Sequence, residues 1–223
     1  MTNKYILNFS NHIDKNVDAF FLLNPDNISR ENNFKKIDLK PEEIVIPEQI
    51  HSNKIEWVDT PGEYCDVDGI ITSNAQIILS LKVADCVPIY LFDPRKKIFA
   101  LIHSGWRGTK GKIANKGINM MLDHGSNVQE IKCYLGPCIG QCCYEVENDV
   151  SKYFNDSSKI KINSKKSKLD LKIAITEQLE SVGILSENIK KSDICTFEST
   201  VCHSFRRDGE LAGRMYSLMK LKS

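Results

Sequence analysis

A chain of 223 residues is long enough to bury a core and is expected to form one domain spanning 1–223. With 30 Lys and Arg against 29 Asp and Glu, its global charge predicts neither a nucleic-acid nor a membrane partner. The stretch from Met1 to Leu7 lacks the apolar run of a signal peptide and no 18-residue apolar stretch occurs, so the eight cysteines read as reduced thiols of a cytoplasmic protein.

The first half of the chain reads as strands separated by turns. Val17–Leu23, Ile44–Ile46, Ile55–Val58, Gly69–Thr72, Ile77–Leu81, Pro88–Phe92 and Ile98–Ile102 are short and rich in Ile, Val, Leu and Phe. Strands this apolar are expected to be covered on both faces. Asp93-Pro94-Arg95-Lys96-Lys97 is a turn sequence suited to a hairpin. The first helix expected follows Gly108, where Ile113, Gly117, Ile118, Met121 and Leu122 share a face and Gly125 supplies the stop. Ile131–Leu135 is a further strand. The polar, lysine-rich stretch Asn155–Lys168 reads as a solvated loop or ragged helix end. A second helix is expected from near Asp170, with Leu171, Ala174, Ile175, Leu179 and Val182 on one side and Gly183 closing it. Strands first and helices later argue for an α+β or mixed α/β domain with helices packed on a sheet.

Three segments carry residues able to ligate a transition metal. His51 precedes the Ile55–Val58 strand, Cys86 follows the Ile77–Leu81 strand, and His103 ends the Ile98–Ile102 strand. Two imidazoles and a thiolate suit a borderline-soft ion such as zinc, and three protein ligands leave a fourth position open for water or substrate. Strand ends can bring distant residues to one rim, but spacings of 35 and 17 positions fit no compact zinc pattern. The bland alternative is a turn histidine, a buried cysteine and a strand-end histidine. Asp85, next to Cys86, is a candidate acceptor orienting a ligand from behind.

Other features divide the same way. Cys133, Cys138, Cys142 and Cys143 form a rival four-sulfur group, but adjacent Cys142-Cys143 fit poorly on one ion and no paired C-x-x-C is present; the better reading is that some of them are small buried hydrophobes, and Cys195 and Cys202 read the same way. Arg107, in Gly105-Trp106-Arg107-Gly108-Thr109, and the backbone N–H groups at the start of the following helix could hold a phosphate, or the segment is a packed turn with a surface arginine. In the cationic stretch Ser204-Phe205-Arg206-Arg207-Asp208-Gly209 and Gly213-Arg214, the arginines either serve substrate or pair with acids. Gly111-Lys112 is followed by Ile113 rather than Ser or Thr, which excludes a Walker loop, and no Gly-x-Ser-x-Gly elbow supports a serine hydrolase.

Several motifs stand in a fixed order. They are Gln-Ile-His-Ser at 49–52, Asp-Gly-Ile-Ile-Thr at 68–72, Ala-Asp-Cys-Val-Pro at 84–88 and His-Ser-Gly-Trp-Arg-Gly-Thr at 103–109. Leu-Gly-Pro-Cys-Ile-Gly-Gln-Cys-Cys-Tyr-Glu-Val at 135–146, Phe-Arg-Arg-Asp-Gly at 205–209 and Gly-Arg-Met at 213–215 follow. From about Leu7 to Leu221 the chain resembles the laccase-domain family of purine nucleoside phosphorylases, also labelled polyphenol oxidase or peptidoglycan editing factor.

The resemblance implies a mixed α/β single domain of that family's type, with His51, Cys86 and His103 as ligands of zinc or, in some reports, copper. It implies phosphorolysis of adenosine, inosine, guanosine and methylthioadenosine, with adenosine deamination besides. Purine nucleosides and phosphate are then the partners. Apart from the resemblance, phosphorolysis asks for an anion site, for which Arg107 or Arg206 is the candidate, and exposed strand edges allow a monomer or homodimer. The other readings are a hydrolase editing peptidoglycan precursors, a copper phenol oxidase and a non-catalytic metal-stabilised module. A mononuclear site with one thiolate lacks the several coppers that four-electron oxygen reduction requires. Relative to the family pattern, an earlier arginine-bearing segment has no counterpart here and Ser104 replaces the usual alanine; the first is expected to alter nucleoside binding, the second to leave the metal site intact.

Overall fold

A computed structural model describes residues 5–23 and 39–222; the rest of the expected 1–223 domain lies outside the described residues. Two six-stranded sheets dominate. The first has the order β1-β2-β15-β7-β3-β5, from Ile6–Asn8, Val17–Leu22, Met215–Leu221, Ile78–Val83, Ile44–Pro47 and Gly62–Tyr64. The second has the order β14-β10-β8-β9-β6-β4, from Ile189–Lys191, Lys132–Leu135, Val87–Asp93, Ile98–Ser104, Gly69–Thr72 and Ile55–Trp57. Both mix parallel and antiparallel pairings.

The pattern of β8 and β9 dictates three layers. Every residue of both strands is buried, as their unbroken apolar runs require. Because side chains alternate, Tyr90, Phe92, Phe99 and Leu101 meet Phe21, Leu79 and Met219 of the first sheet. Ile89, Leu91, Ala100 and Ile102 face the other way, onto Ile113, Ile118 and Met121 of the Ile113–Asp123 helix. The Leu171–Ser181 helix joins that outer cluster through Leu171, Ile175 and Leu179. Tyr90 lies wholly inside the sandwich, and its hydroxyl donates to the Phe20 carbonyl at 2.9 Å. The result is a mixed α+β fold, as the sequence pattern indicates.

Local signals act where they fall. The β8–β9 hairpin turns at Asp93, whose Oδ1 accepts from the backbone N–H of Arg95 and Lys96 at 2.8 and 3.0 Å. Asp170 caps the Leu171–Ser181 helix by accepting from the Ile173 N–H at 2.9 Å. Gly125 and Gly183 follow the two helices at φ of +89° and +101°, the left-handed conformation that glycine adopts without steric cost.

Asn155–Lys168 is not a loop or helix end. It contains a turn of 3-10 helix at Asp156–Ser158, then β12 (Lys159–Lys161) and β13 (Lys166–Leu169), which form a small sheet with β11 (Glu145–Glu147). In Lys166-Ser167-Lys168-Leu169 the residues alternate in burial, and Asn163 turns the hairpin by accepting from the N–H groups of Lys165 and Lys166. The lysines hide a strand because only every second residue needs to be buried.

Gly117 sets how closely the Ile113–Asp123 helix approaches β9. A Cβ there would stand 2.3 Å from Ile102 Cδ1 and 3.4 Å from Ile55 Cδ1. Gly117→Ala gains about 1 kcal/mol of helix propensity, but overpacking costs about 1–3 kcal/mol, and buried Ile102 has no solvent to swing into. A net loss of stability is expected in urea unfolding; a stabilised variant would show that the helix can retreat from β9 at no cost.

Candidate metal centre

The ends of β8 and β9 and the loop leaving β3 meet at one rim. Cys86 sits in the Ala84–Cys86 turn between β7 and β8, His103 is the penultimate residue of β9, and His51 lies in the loop between β3 and β4. One ligand atom from each lies within 4.8 Å of the other two. The His51 and His103 rings stand edge to face, with centroids 4.9 Å apart. Gly105 makes room for this convergence, since a Cβ at that position would lie 2.8 Å from Cys86 Sγ and 3.6 Å from His51 Cδ2. Ser104 turns away from the site to share a 2.9 Å hydrogen bond with Thr109.

Asp68 organises the site and carries no assignment from the sequence. Its buried carboxylate meets His103 Nδ1 at 2.8 Å and accepts from the backbone N–H of His51 at 3.0 Å and of Ser52 at 2.6 Å, and from the Ser52 hydroxyl at 2.7 Å. The Ile50 N–H is a longer contact at 3.3 Å. Asp68 also accepts the His103 N–H at its own carbonyl, at 2.7 Å. With Nδ1 donating to Asp68, the Nε2 lone pair of His103 is the one free for a metal. Asp68 opens the Asp-Gly-Ile-Ile-Thr motif at 68–72, the only signal that points to it before the fold is known.

The Asp85 carboxylate is taken up by partners on other segments. Its carboxylate accepts from Thr196 Oγ1 at 2.6 Å, Ser204 Oγ at 2.9 Å and the Arg206 N–H at 2.7 Å. It ties the β7–β8 turn to the segments around 196 and 204–206, so it fixes Cys86 through the backbone. Asp85 and His51 both have positive φ, at +81° and +59°, uncommon for non-glycine residues and here imposed by dense hydrogen bonding on each side.

Burial opposes charge on both Cys86 and His103, and each overcomes it through the other. His103, with a smaller part from His51, brings the Cys86 thiol down to about 6. Cys86 and Asp68 together push His103 up to about 9. Asp68 is buried too, yet the hydrogen bonds from His103 and Ser52 hold it below its ordinary value. A site that gathers a thiolate, two imidazoles and a buried carboxylate behind one of them is suited to a borderline-soft cation. The donor set and the clearance left by Gly105 therefore fit zinc or copper.

The three side chains open onto a cavity of about 580 Å³, within the range of roughly 300–1,000 Å³ typical of small-molecule sites. Arg107, Arg206, Arg214 and Lys82 bring positive charge to its walls, and Trp106, Tyr144 and Phe205 bring aromatic surface. Arg107 stacks on Trp106 at 4.4 Å, and Arg206 lies 5.0 Å over the Tyr144 ring while donating to the Glu145 carbonyl at 2.6 Å. Both arginines nominated from the sequence thus line the cavity, joined by Arg214. Arg207 does not: it pairs with Asp208 and donates to the carbonyls of Thr196, Phe197, Ser199 and Cys202. Cys133, Cys138 and Cys202 are buried, as small hydrophobes should be, whereas Cys142 is exposed and Cys143 and Cys195 are half-buried.

Residues 25–222 match the family described as multi-copper polyphenol oxidoreductase laccase. The chain belongs to that family. A purine nucleoside phosphorylase of Clostridium acetobutylicum is 36% identical over 176 residues, covering 77% of this chain and 74% of the relative. An adenosine deaminase from an unknown prokaryotic organism is 32% identical over 194 residues, covering 79% of this chain and 74% of the relative. Among solved structures, YfiH of Bacillus licheniformis aligns with a TM-score of 0.89 at 26% identity, covering 99% of this chain and 98% of that one. YlmD of Geobacillus stearothermophilus aligns with a TM-score of 0.86, also at 26% identity, over 94% and 93%. The fold of this family member is thus that of YfiH and YlmD.

Asp68→Asn preserves shape but removes the charge behind His103 and one of the acceptors of the 50–52 loop. Loss of such an outer partner lowers metal affinity by about 10–100-fold. Competition with a chromogenic chelator measures this, and an unchanged affinity would remove Asp68 from the account.

Proposed function

We propose that this chain is a metal-dependent purine nucleoside enzyme, phosphorolysing adenosine, inosine, guanosine and methylthioadenosine and deaminating adenosine in the same cavity, with residues 1–223 acting as one domain. The observation that carries the reading is the junction of a His-His-Cys ligand set with a guanidinium-lined cavity of nucleoside-compatible size. The names of the relatives support both activities.

Phosphorolysis forms a bond from a phosphate oxygen to the ribose C1′ and breaks the bond from C1′ to the purine nitrogen, which ends protonated. The phosphate must therefore be held beside the ribose. Arg107 and Arg206 are suited to this because a guanidinium offers paired donors to an oxyanion. Each is braced by an aromatic ring, Trp106 and Tyr144, which limits the side-chain freedom lost on binding. Deamination exchanges the exocyclic amine of adenosine for the oxygen of a water. An ion held by His51, Cys86 and His103, which we take to be zinc with copper as the alternative, would supply Lewis acidity for that exchange. Asp68 keeps His103 in the tautomer that leaves Nε2 to the ion. The half-buried aromatic surface of Trp106 and the ring of Tyr144 suit the flat face of a purine.

Among the described residues no helix is long and apolar enough to cross a membrane. A protein acting on nucleosides and phosphate is placed by this reading in the cytoplasm, as a monomer or homodimer.

Cys86→Ala and His103→Ala are expected to remove the metal of this centre and lower phosphate-dependent release of hypoxanthine from inosine by more than about 100-fold, beyond what an outer partner costs. Full turnover in either variant would refute the assignment. Arg206→Ala keeps the backbone N–H that holds Asp85, so the turn should survive. The variant is expected to raise KM for phosphate several-fold with little change in KM for inosine, read from initial rates. The opposite split would move Arg206 to the nucleoside.

A further inference from the structure

Three of the thiols left over by the triad converge behind the cavity wall. Cys142 and Cys143 lie in the turn between β10 and β11, and Cys195 and Glu198 lie between β14 and the Phe205–Asp208 turn of helix. The two segments are already joined by backbone. Cys138 and Cys195 pair as a parallel bridge, the Thr196 N–H donates to the Cys138 carbonyl at 2.9 Å, and the Gly140 N–H donates to Cys195 Sγ at 3.2 Å. The sulfurs of Cys142, Cys143 and Cys195 and a carboxylate oxygen of Glu198 all lie within 4.8 Å of one another.

We propose that Cys142, Cys143, Cys195 and Glu198 form a second metal site, separate from the triad, that binds a thiophilic divalent ion of the zinc class. Tetrahedral zinc–sulfur bonds of about 2.3 Å space the sulfurs about 3.8 Å apart, so the cluster closes on an ion with shifts of an ångström or less. Adjacent cysteines fit poorly on one ion in an extended segment. Here the N–H groups of Cys143 and Tyr144 both bond to the Gly140 carbonyl at 3.0 Å, and this tight turn brings both sulfurs toward Cys195. Gly140 keeps the space clear, because a Cβ there would stand 3.0 Å from Cys142 Sγ and 3.4 Å from Cys195 Sγ. Exposed Cys142 and Glu198 give an ion access from solvent.

Four protein ligands leave no open position, so the ion at this site is structural. It clips the 138–144 turn, which carries Ile139 and Tyr144 into the cavity wall, to the segment that Arg207 holds through the carbonyls of Thr196, Phe197 and Ser199.

Zinc per chain, counted after dialysis of the full-length protein, tests the proposal. Two equivalents are expected in the wild type, one in Cys86→Ala and one in Cys142→Ser/Cys195→Ser. Reconstituted with cobalt, Cys86→Ala should keep most of the thiolate-to-metal charge-transfer absorption, since three of the four ligating thiolates remain. A single equivalent in the wild type that vanishes in Cys86→Ala would overturn the proposal. If the double serine variant does not fold, maleimide labelling of wild-type Cys142 decides: saturating zinc should slow it at least tenfold, and equal rates with and without zinc would overturn the site. Absence of nucleoside turnover would leave all these counts unchanged, so the two readings fail separately.

Discussion

One buried carboxylate holds the candidate active site together. Asp68 takes the His103 imidazole on one oxygen and the backbone and hydroxyl of Ser52 on the other, with the His51 N–H beside them. A buried charge is tolerable only when paired and hydrogen-bonded, and removing one partner of such a pair costs on the order of 3–5 kcal/mol. The same contacts that make Asp68 affordable therefore fix the position of two of the three candidate ligands. The third, Cys86, is fixed by a second carboxylate, Asp85, through the β7–β8 turn.

That arrangement works only on a rigid frame. Strands β8 and β9 are buried on both faces, one against the opposing sheet and one against the helices, so packing holds them from both sides. Gly117 and Gly105 set two close approaches in the same region. Gly117 lets a helix sit down on Ile102, one residue before His103, and Gly105 leaves the gap between Cys86 and His51 open. Packing and chemistry are thus linked through adjacent positions of β9.

The three candidate ligands were legible as residue types able to hold a metal, but their spacing left the site open, and it was the resemblance of the ordered motifs that implied them as a set. Arg107 and Arg206 were legible as cations in turn-rich segments, and both line the cavity. Asp68 was not, because nothing local distinguishes an aspartate that starts a strand from one that turns a chain; its importance comes from loop 50–52 folding over it. Asp85 was legible from its place beside Cys86, but its partners were not, because Thr196, Ser204 and the Arg206 N–H come from segments far along the chain. Among the elements, β8 and β9 announce themselves by unbroken apolar runs, whereas β15, in Met-Tyr-Ser-Leu-Met-Lys-Leu, does not. Its residues favour helices in isolation and become a central strand through pairing with β2 and β7. Cys195 is too far along the chain from Cys142 and Cys143 for any spacing rule to unite them.

Anomalous diffraction at the zinc edge from a zinc-soaked crystal would test the central claim most directly. A peak bonded to His51, Cys86 Sγ and His103 Nε2, with His103 Nδ1 still on Asp68, is the predicted result. No peak at the triad, or one bonded through His103 Nδ1 with Asp68 displaced, would contradict the account.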